Sequence, residues 1–155
     1  GATHGQQAMF HFIPQKNFAV ALLTNSDEGG IITDSLLKWV LELYFDTAIP
    51  TPVPTKKTRK ELAEYTGHYE LPLSAFDLVA RGGYLVKKDI PRGGFPTPDS
   101  PAGPAEPDVR LAFYDTDRVV GMDEPRKGAL CEFLRDKSGK VNLMRIGGRL
   151  HPKTN

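Results

Sequence analysis

The chain has a single cysteine, Cys131, so it closes no disulfide on itself and its redox compartment stays open. It has almost no net charge, +1 over 155 residues, which removes the electrostatic case for nucleic acid or an anionic membrane as partner. No apolar run approaches the roughly 20 residues that a spanning helix needs, so no membrane span is expected. Metal-ligand spacing is missing as well. No two of His4, His11, His68 and His151 stand three or four apart, and no cysteine pair accompanies them, so neither a metal nor another cofactor is expected. No internal repeat is visible, and no signal-peptide pattern starts at Gly1. What remains is the composition of a globular protein, 39% hydrophobic and 25% charged, in a length that suits one domain or two small pieces.

Two hydrophobic periods organise the chain. Residues 8–13 and 18–24 are aromatic and aliphatic, and Pro14-Gln-Lys-Asn17 between them supplies turn residues, which predicts a β-hairpin. Phe18 to Leu23 is apolar almost without a break, the pattern of a strand buried on both faces. Residues 33–45 read as a helix lying across the hairpin. Leu36, Leu37, Val40, Leu41 and Tyr44 form its apolar stripe, and Thr33 or Asp34 is placed to cap it. Trp39 is expected to be a packing residue on that helix. Pro50, Pro52 and Pro54 then mark a linker over 47–57. Thr58, with Glu61 three residues on, opens a short capped helix through Tyr65.

Beyond it the period changes to two. Short strands are expected at 67–71, 75–81, 84–89, 109–114, 117–121, 129–135, 140–146 and 148–152, with Gly82-Gly83, Lys137-Ser-Gly139 and Gly147-Gly148 at the turns. Residues 91–107 interrupt the series with six prolines and three glycines, and predict an exposed, mobile loop. The fold expected is an α+β N-terminal piece over 1–46, the linker, and an all-β antiparallel barrel of about eight strands over 58–155. A barrel of that size is just wide enough for side chains to fill, so a packed interior is expected, with Cys131 as a small core residue. Lys56-Lys57-Thr-Arg59-Lys60 reads as the solvated end of the linker.

The first residues carry a resemblance. Gly1-Ala-Thr-His-Gly5, a strand ending in Ile13-Pro14, and a second strand ending in Thr24-Asn25 resemble the segment after the third active-site motif of class C β-lactamases and their esterase and peptidase relatives. Leu62-Ala-x-Tyr65-Thr-Gly67-x-Tyr69 and Gly148-Arg149-Leu150 resemble, more weakly, the lipocalin-like C-terminal domain attached to some of those enzymes. The resemblance implies acyl transfer on an ester, amide or lactam, through a serine nucleophile and an oxyanion held by two backbone N–H groups. It makes Gly1 the last residue of the motif triplet, Ala2 the second oxyanion donor, and Thr3 and His4 part of the substrate cleft.

The same resemblance exposes what is missing. Its Ser-x-x-Lys nucleophile motif occurs only as Ser35-Leu-Leu-Lys38, on the helix placed away from the cleft, and is read as coincidence. None of Tyr44, Tyr65, Tyr69, Tyr84 and Tyr114 is followed by x-Asn. Gly30 and Thr33 stand where class C β-lactamases carry an Asn and an Arg near the substrate carboxylate, which favours an esterase or peptidase over a lactamase. The reading is therefore the C-terminal portion of a serine hydrolase, inactive alone. Its partners would be the missing N-terminal part of the catalytic domain and a small-molecule or peptide substrate. Any export signal would lie upstream of Gly1, and the reading leans extracytoplasmic. Stripped of its neighbours, the hairpin is expected to self-associate through residues 1–45. The alternative is a free-standing lipocalin-like ligand-binding or interaction module.

Overall fold

A two-residue period needs one covered face for each strand, and the chain covers its strands in two different ways. The computed structural model describes every residue except His4, Asp27, Phe95 and Asn155, and only the backbone of Ile31 and Asp34. The chain divides into two compact units, Gly1–Thr51 and Pro52–Asn155.

In the first unit a helix does the covering. Strands β1 (Ala2–Thr3), β2 (Gln6–Ile13) and β3 (Phe18–Thr24) form an antiparallel sheet in that order, and α1 (Gly29–Phe45) packs on it. The β2–β3 turn runs through Pro14–Lys16 to Asn17 at φ 49°, a left-handed position that asparagine tolerates. The register pairs Ile13 with Phe18, Met9 with Leu22 and Gln7 with Thr24, so these residues share one face. That face meets the helix: the Phe18 ring lies 5.0 Å from Phe45 and 5.4 Å from Tyr44.

Five expectations need correction here. The hairpin gains a third strand, β1, too short for any period to announce. Phe18–Leu23 is covered on one face only: Phe18, Val20 and Leu22 are half-buried, whereas Ala19, Ala21 and Leu23 are exposed. The helix starts four residues early, at Gly29, behind Glu28, which makes no side-chain cap. Thr33 is not the cap; it is buried, and its hydroxyl donates to the Gly30 carbonyl at 2.8 Å. Trp39 is not packed but 57% exposed, on an outer helix face shared with Ile32 and Leu43.

In the second unit the sheet covers itself. Strands β4 (Gly67–Leu71), β5 (Ser74–Arg81), β6 (Tyr84–Ile90), β7 (Val109–Phe113), β8 (Arg118–Gly121), β9 (Leu130–Arg135), β10 (Val141–Ile146) and β11 (Arg149–Thr154) pair in sequence, all antiparallel. The ring closes through Lys153 opposite Tyr69 and Thr154 opposite His68. This is the eight-stranded antiparallel barrel expected, with strands nearly where the alternation puts them. Phe76 and Leu78 of β5, Leu85 of β6, Leu111 and Phe113 of β7, Phe133 of β9 and Met144 of β10 fill it. Cys131 belongs to this core, and burial pushes its thiol up to about 11.

One end of the barrel is plugged. Thr58 and Glu61 form the capping box of α2 (Arg59–Leu62), and a single tight turn, Ala63–Tyr65, follows. Leu62 and Tyr65 are buried in the core, with the Tyr65 ring 4.7 Å from both Phe113 and Phe133. The Tyr65 hydroxyl donates to Asp117 Oδ1 at 2.9 Å and accepts from Arg135 at 3.0 Å. Arg135 also bonds Glu64 and Asp117, and its hydrogen bonds hold both carboxyls below their usual range.

The linker end and the proline loop are less free than expected. Thr55 N–H donates to the Phe113 carbonyl at 2.7 Å, and Lys57 Nζ sits 4.8 Å over the Phe113 ring. In the loop, Glu106 N–H donates to Asp89 Oδ2 at 3.1 Å, and the Glu106 carboxylate reaches Arg126 at 2.7 Å. These polar anchors hold a segment whose composition offers little to bury.

Candidate functional site

The first five residues lead to a groove in the first unit. Ala8 N–H donates to the Gly1 carbonyl at 2.8 Å, and the Gly1 amino group donates to the Ala8 carbonyl at 2.8 Å. Gly1 and Ala8 are thus a hydrogen-bonded pair. Such pairs alternate with unbonded ones along an antiparallel ladder. The next pair, Ala2 opposite Gln7, is therefore unbonded across β1–β2, and the Ala2 N–H is directed to the free edge of β1. Gly1, Ala2, Thr3, Gln7, Thr24 and Asn25, drawn from all three strands, line an open groove of about 700 Å³ across this end of the sheet.

Of the predicted site residues, Gly1, Ala2 and Thr3 are brought together here. His4 lies outside the described residues. Ser35 and Lys38 lie on α1, both exposed, and do not line the groove. The described lining offers backbone groups, amides and two threonine hydroxyls, with no His, Lys, Asp or Glu side chain. It can orient and polarise a carbonyl group. It holds no side-chain base to activate a nucleophile.

A second set of polar groups lies in the barrel, and sequence reasoning missed it. Ser74 Oγ stands 3.1 Å from His151 Nε2, between residues 77 apart in the chain. Burial pushes the His151 pKa down, so the imidazole is neutral near pH 7. Among the described residues no carboxylate is hydrogen-bonded to its Nδ1, so none orients the ring as in a catalytic triad. Lys87 is buried near them, its Nζ 5.2 Å over the Phe76 ring, while the His151 ring is 5.1 Å from Phe76. One signal was in the sequence. Leu85, Lys87 and Asp89 alternate, so a core-facing leucine puts a lysine and an aspartate on the inner face of β6. Among the described residues, no group of three or more His, Cys, Asp or Glu is placed to hold a metal ion. Among the described residues, no helix is long and apolar enough to cross a membrane.

Compared as a sequence, the chain matches no family model and no curated protein. Compared as a structure, it is similar to SurE solved with D-Leu, with a TM-score of 0.62 and 21% identity over 99% of this chain and 34% of that one. A second SurE structure gives a TM-score of 0.59 and 22% identity over 99% of this chain and 33% of that one. The chain thus spans about a third of the length of these structures. At this identity the likeness is one of fold.

Proposed function

We propose that the chain is the C-terminal portion of a serine hydrolase related to class C β-lactamases, acting by acyl transfer on an ester, amide or lactam. The observation that carries this reading is the Ala2 N–H, left unbonded by the β1–β2 ladder, on a residue that lines an open groove. A serine hydroxyl supplied by a preceding segment would attack the substrate carbonyl. A base of that same preceding segment would take the hydroxyl proton, the carbonyl oxygen would take the electron pair with the Ala2 N–H donating to it, and collapse would pass the proton to the departing alcohol or amine as the acyl-enzyme forms. Gly1, Thr3 and His4 would shape the cleft. Alanine suffices at position 2 because only its backbone acts.

Two features support the reading. Phe10 and Phe12 stack at 5.8 Å on the sheet face away from α1, and both are exposed; Ile32, Trp39 and Leu43 form the exposed outer stripe of the helix. A sheet and a helix with apolar outer faces are what a larger catalytic domain would cover. The likeness to structures about three times as long points the same way, and the D-Leu held by one of them favours a substrate with an amino-acid end. The alternative, a lipocalin-like ligand-binding module, is favoured by the polar groups in the barrel.

The test is twofold. This chain alone should not turn over a chromogenic ester, and the coding sequence before Gly1 should carry Ser-x-x-Lys followed by Tyr-x-Asn. Hydrolysis by the chain itself that survives Ser35→Ala, or a preceding sequence without those motifs, would remove the hydrolase reading.

A further inference from the structure

The barrel end opposite the Tyr65 plug is open. It holds a cleft of about 350 Å³, near the lower limit for small-molecule pockets and worth about a dozen waters at ~30 Å³ each. Lys87, Arg92, Arg126 and Arg149 line it, against two carboxylates, Asp89 and Glu106. Phe76 and Ile146 give the floor an apolar part.

The cations are not equally engaged. Arg92 is held by Glu70 at 2.6 Å. Arg149 has no carboxylate partner among the described residues, and it lies on the same face of β11 as buried His151. The Lys87 side chain is 10% exposed, yet among the described residues its three donors make one hydrogen bond, to Asp89 at 3.3 Å. Its second carboxylate, Glu106, stands at 3.7 Å, beyond hydrogen-bond length. Glu106 itself is gripped by Arg126 through two bonds, at 2.7 and 3.2 Å. A buried ammonium with spare donors, a guanidinium beside it and, at the rim, an arginine with no described carboxylate partner form a seat for a carboxylate over an aromatic floor. The proline-rich loop inserts its own carboxylate into that seat.

We propose that this open end binds a small organic carboxylate bearing an apolar group, and that Glu106 occupies the cation seat of the unliganded chain. An incoming carboxylate exchanges with Glu106 at Arg126 and Lys87, and its apolar group lies on Phe76 and Ile146. The inference does not depend on the hydrolase reading.

The experiment is a titration of the whole chain with phenylacetate, with phenylacetamide as the neutral isostere and acetate as the anion without the apolar group. It is followed by calorimetry and by amide shifts. Phenylacetate should bind at least tenfold more tightly than either control, with shifts centred on residues 74–76, 87–89 and 149–151. Arg126→Gln should weaken it about tenfold, and Glu106→Gln, which empties the seat without removing a cation, should strengthen it several-fold. Both changes are at partly exposed side chains and leave the core intact. No binding to wild type and Glu106→Gln alike, equal binding of phenylacetamide, or weaker binding by Glu106→Gln would each overturn the proposal.

Discussion

His68 and His151 place opposite demands on one barrel. His68 Nδ1 stands 2.7 Å from Asp77 Oδ1, and that hydrogen bond, with Glu70 near the other nitrogen, raises its pKa. A raised folded pKa gives stability that is complete below the unfolded value near 6.5 and is lost as pH rises through the folded value. His151 is the reverse: burial lowers its pKa, so stability is complete above about 6.5 and falls as the pH drops below it. The gap in urea midpoint between wild type and His68→Gln should therefore be wider at pH 6 than at pH 8.5; a gap that does not change with pH would deny the Asp77 pairing a role. Gly121 carries a steric demand at the same scale. A Cβ there would stand 2.0 Å from the Arg126 carbonyl oxygen, so Gly121→Ala should cost about 1–3 kcal/mol. Gly103→Ala, with nothing within 4 Å of its Cβ, should cost far less, and equal urea midpoints would show that the 119–128 turn has room to give.

Among the elements, the plug carries the most concentrated polar network. Tyr65→Phe keeps the ring between Phe113 and Phe133 but removes the hydroxyl that links Arg135 to Asp117. Leaving these partners one bond short should cost about 1–2 kcal/mol in urea unfolding; an unchanged midpoint would mean that water replaces the hydroxyl. The elements themselves were largely legible. Phe76, Leu78 and Ala80 alternate with Asp77 and Arg81, and glycine pairs at 82–83 and 147–148 mark tight turns, so the strands and their order followed from a two-residue period. What was hidden is polar. Lys87 and Asp89 continue the inner face of β6, but charged residues read as the end of a hydrophobic pattern rather than as its functional part. Glu106 was hidden too, because a loop's composition says nothing of one side chain that finds two cations across the barrel mouth. In the first unit, β1 is set by the Gly1–Ala8 hydrogen bonds, a pairing of a two-residue strand too short to show a period.

At the scale of the whole molecule, the two units differ in what they leave uncovered. The barrel closes on itself and has no free edge. The first unit keeps the β1 edge and β3 edge open and exposes Phe10, Phe12 and Trp39. In water this surface should draw chains together through residues 1–45, most simply as a two-fold dimer. Light scattering on the whole chain and on residues 58–155 checks it: the whole chain should associate and the shorter one should not. A monomeric whole chain, or an association that persists in the shorter one, would place the contact elsewhere.

The central claim is that the Ala2 N–H completes an oxyanion hole, and it is tested most directly at that one atom. In the longer hydrolase that the reading requires, Ala2→Pro removes the N–H from an edge strand where proline is tolerated, while Ala2→Ser keeps it. The measurement is kcat on a chromogenic ester for the two variants, beside the unfolding midpoint of each. The account expects Ala2→Pro to lose roughly 10²–10³ in kcat with Ala2→Ser close to wild type, at similar stability. Equal kcat for Ala2→Pro and Ala2→Ser would contradict it.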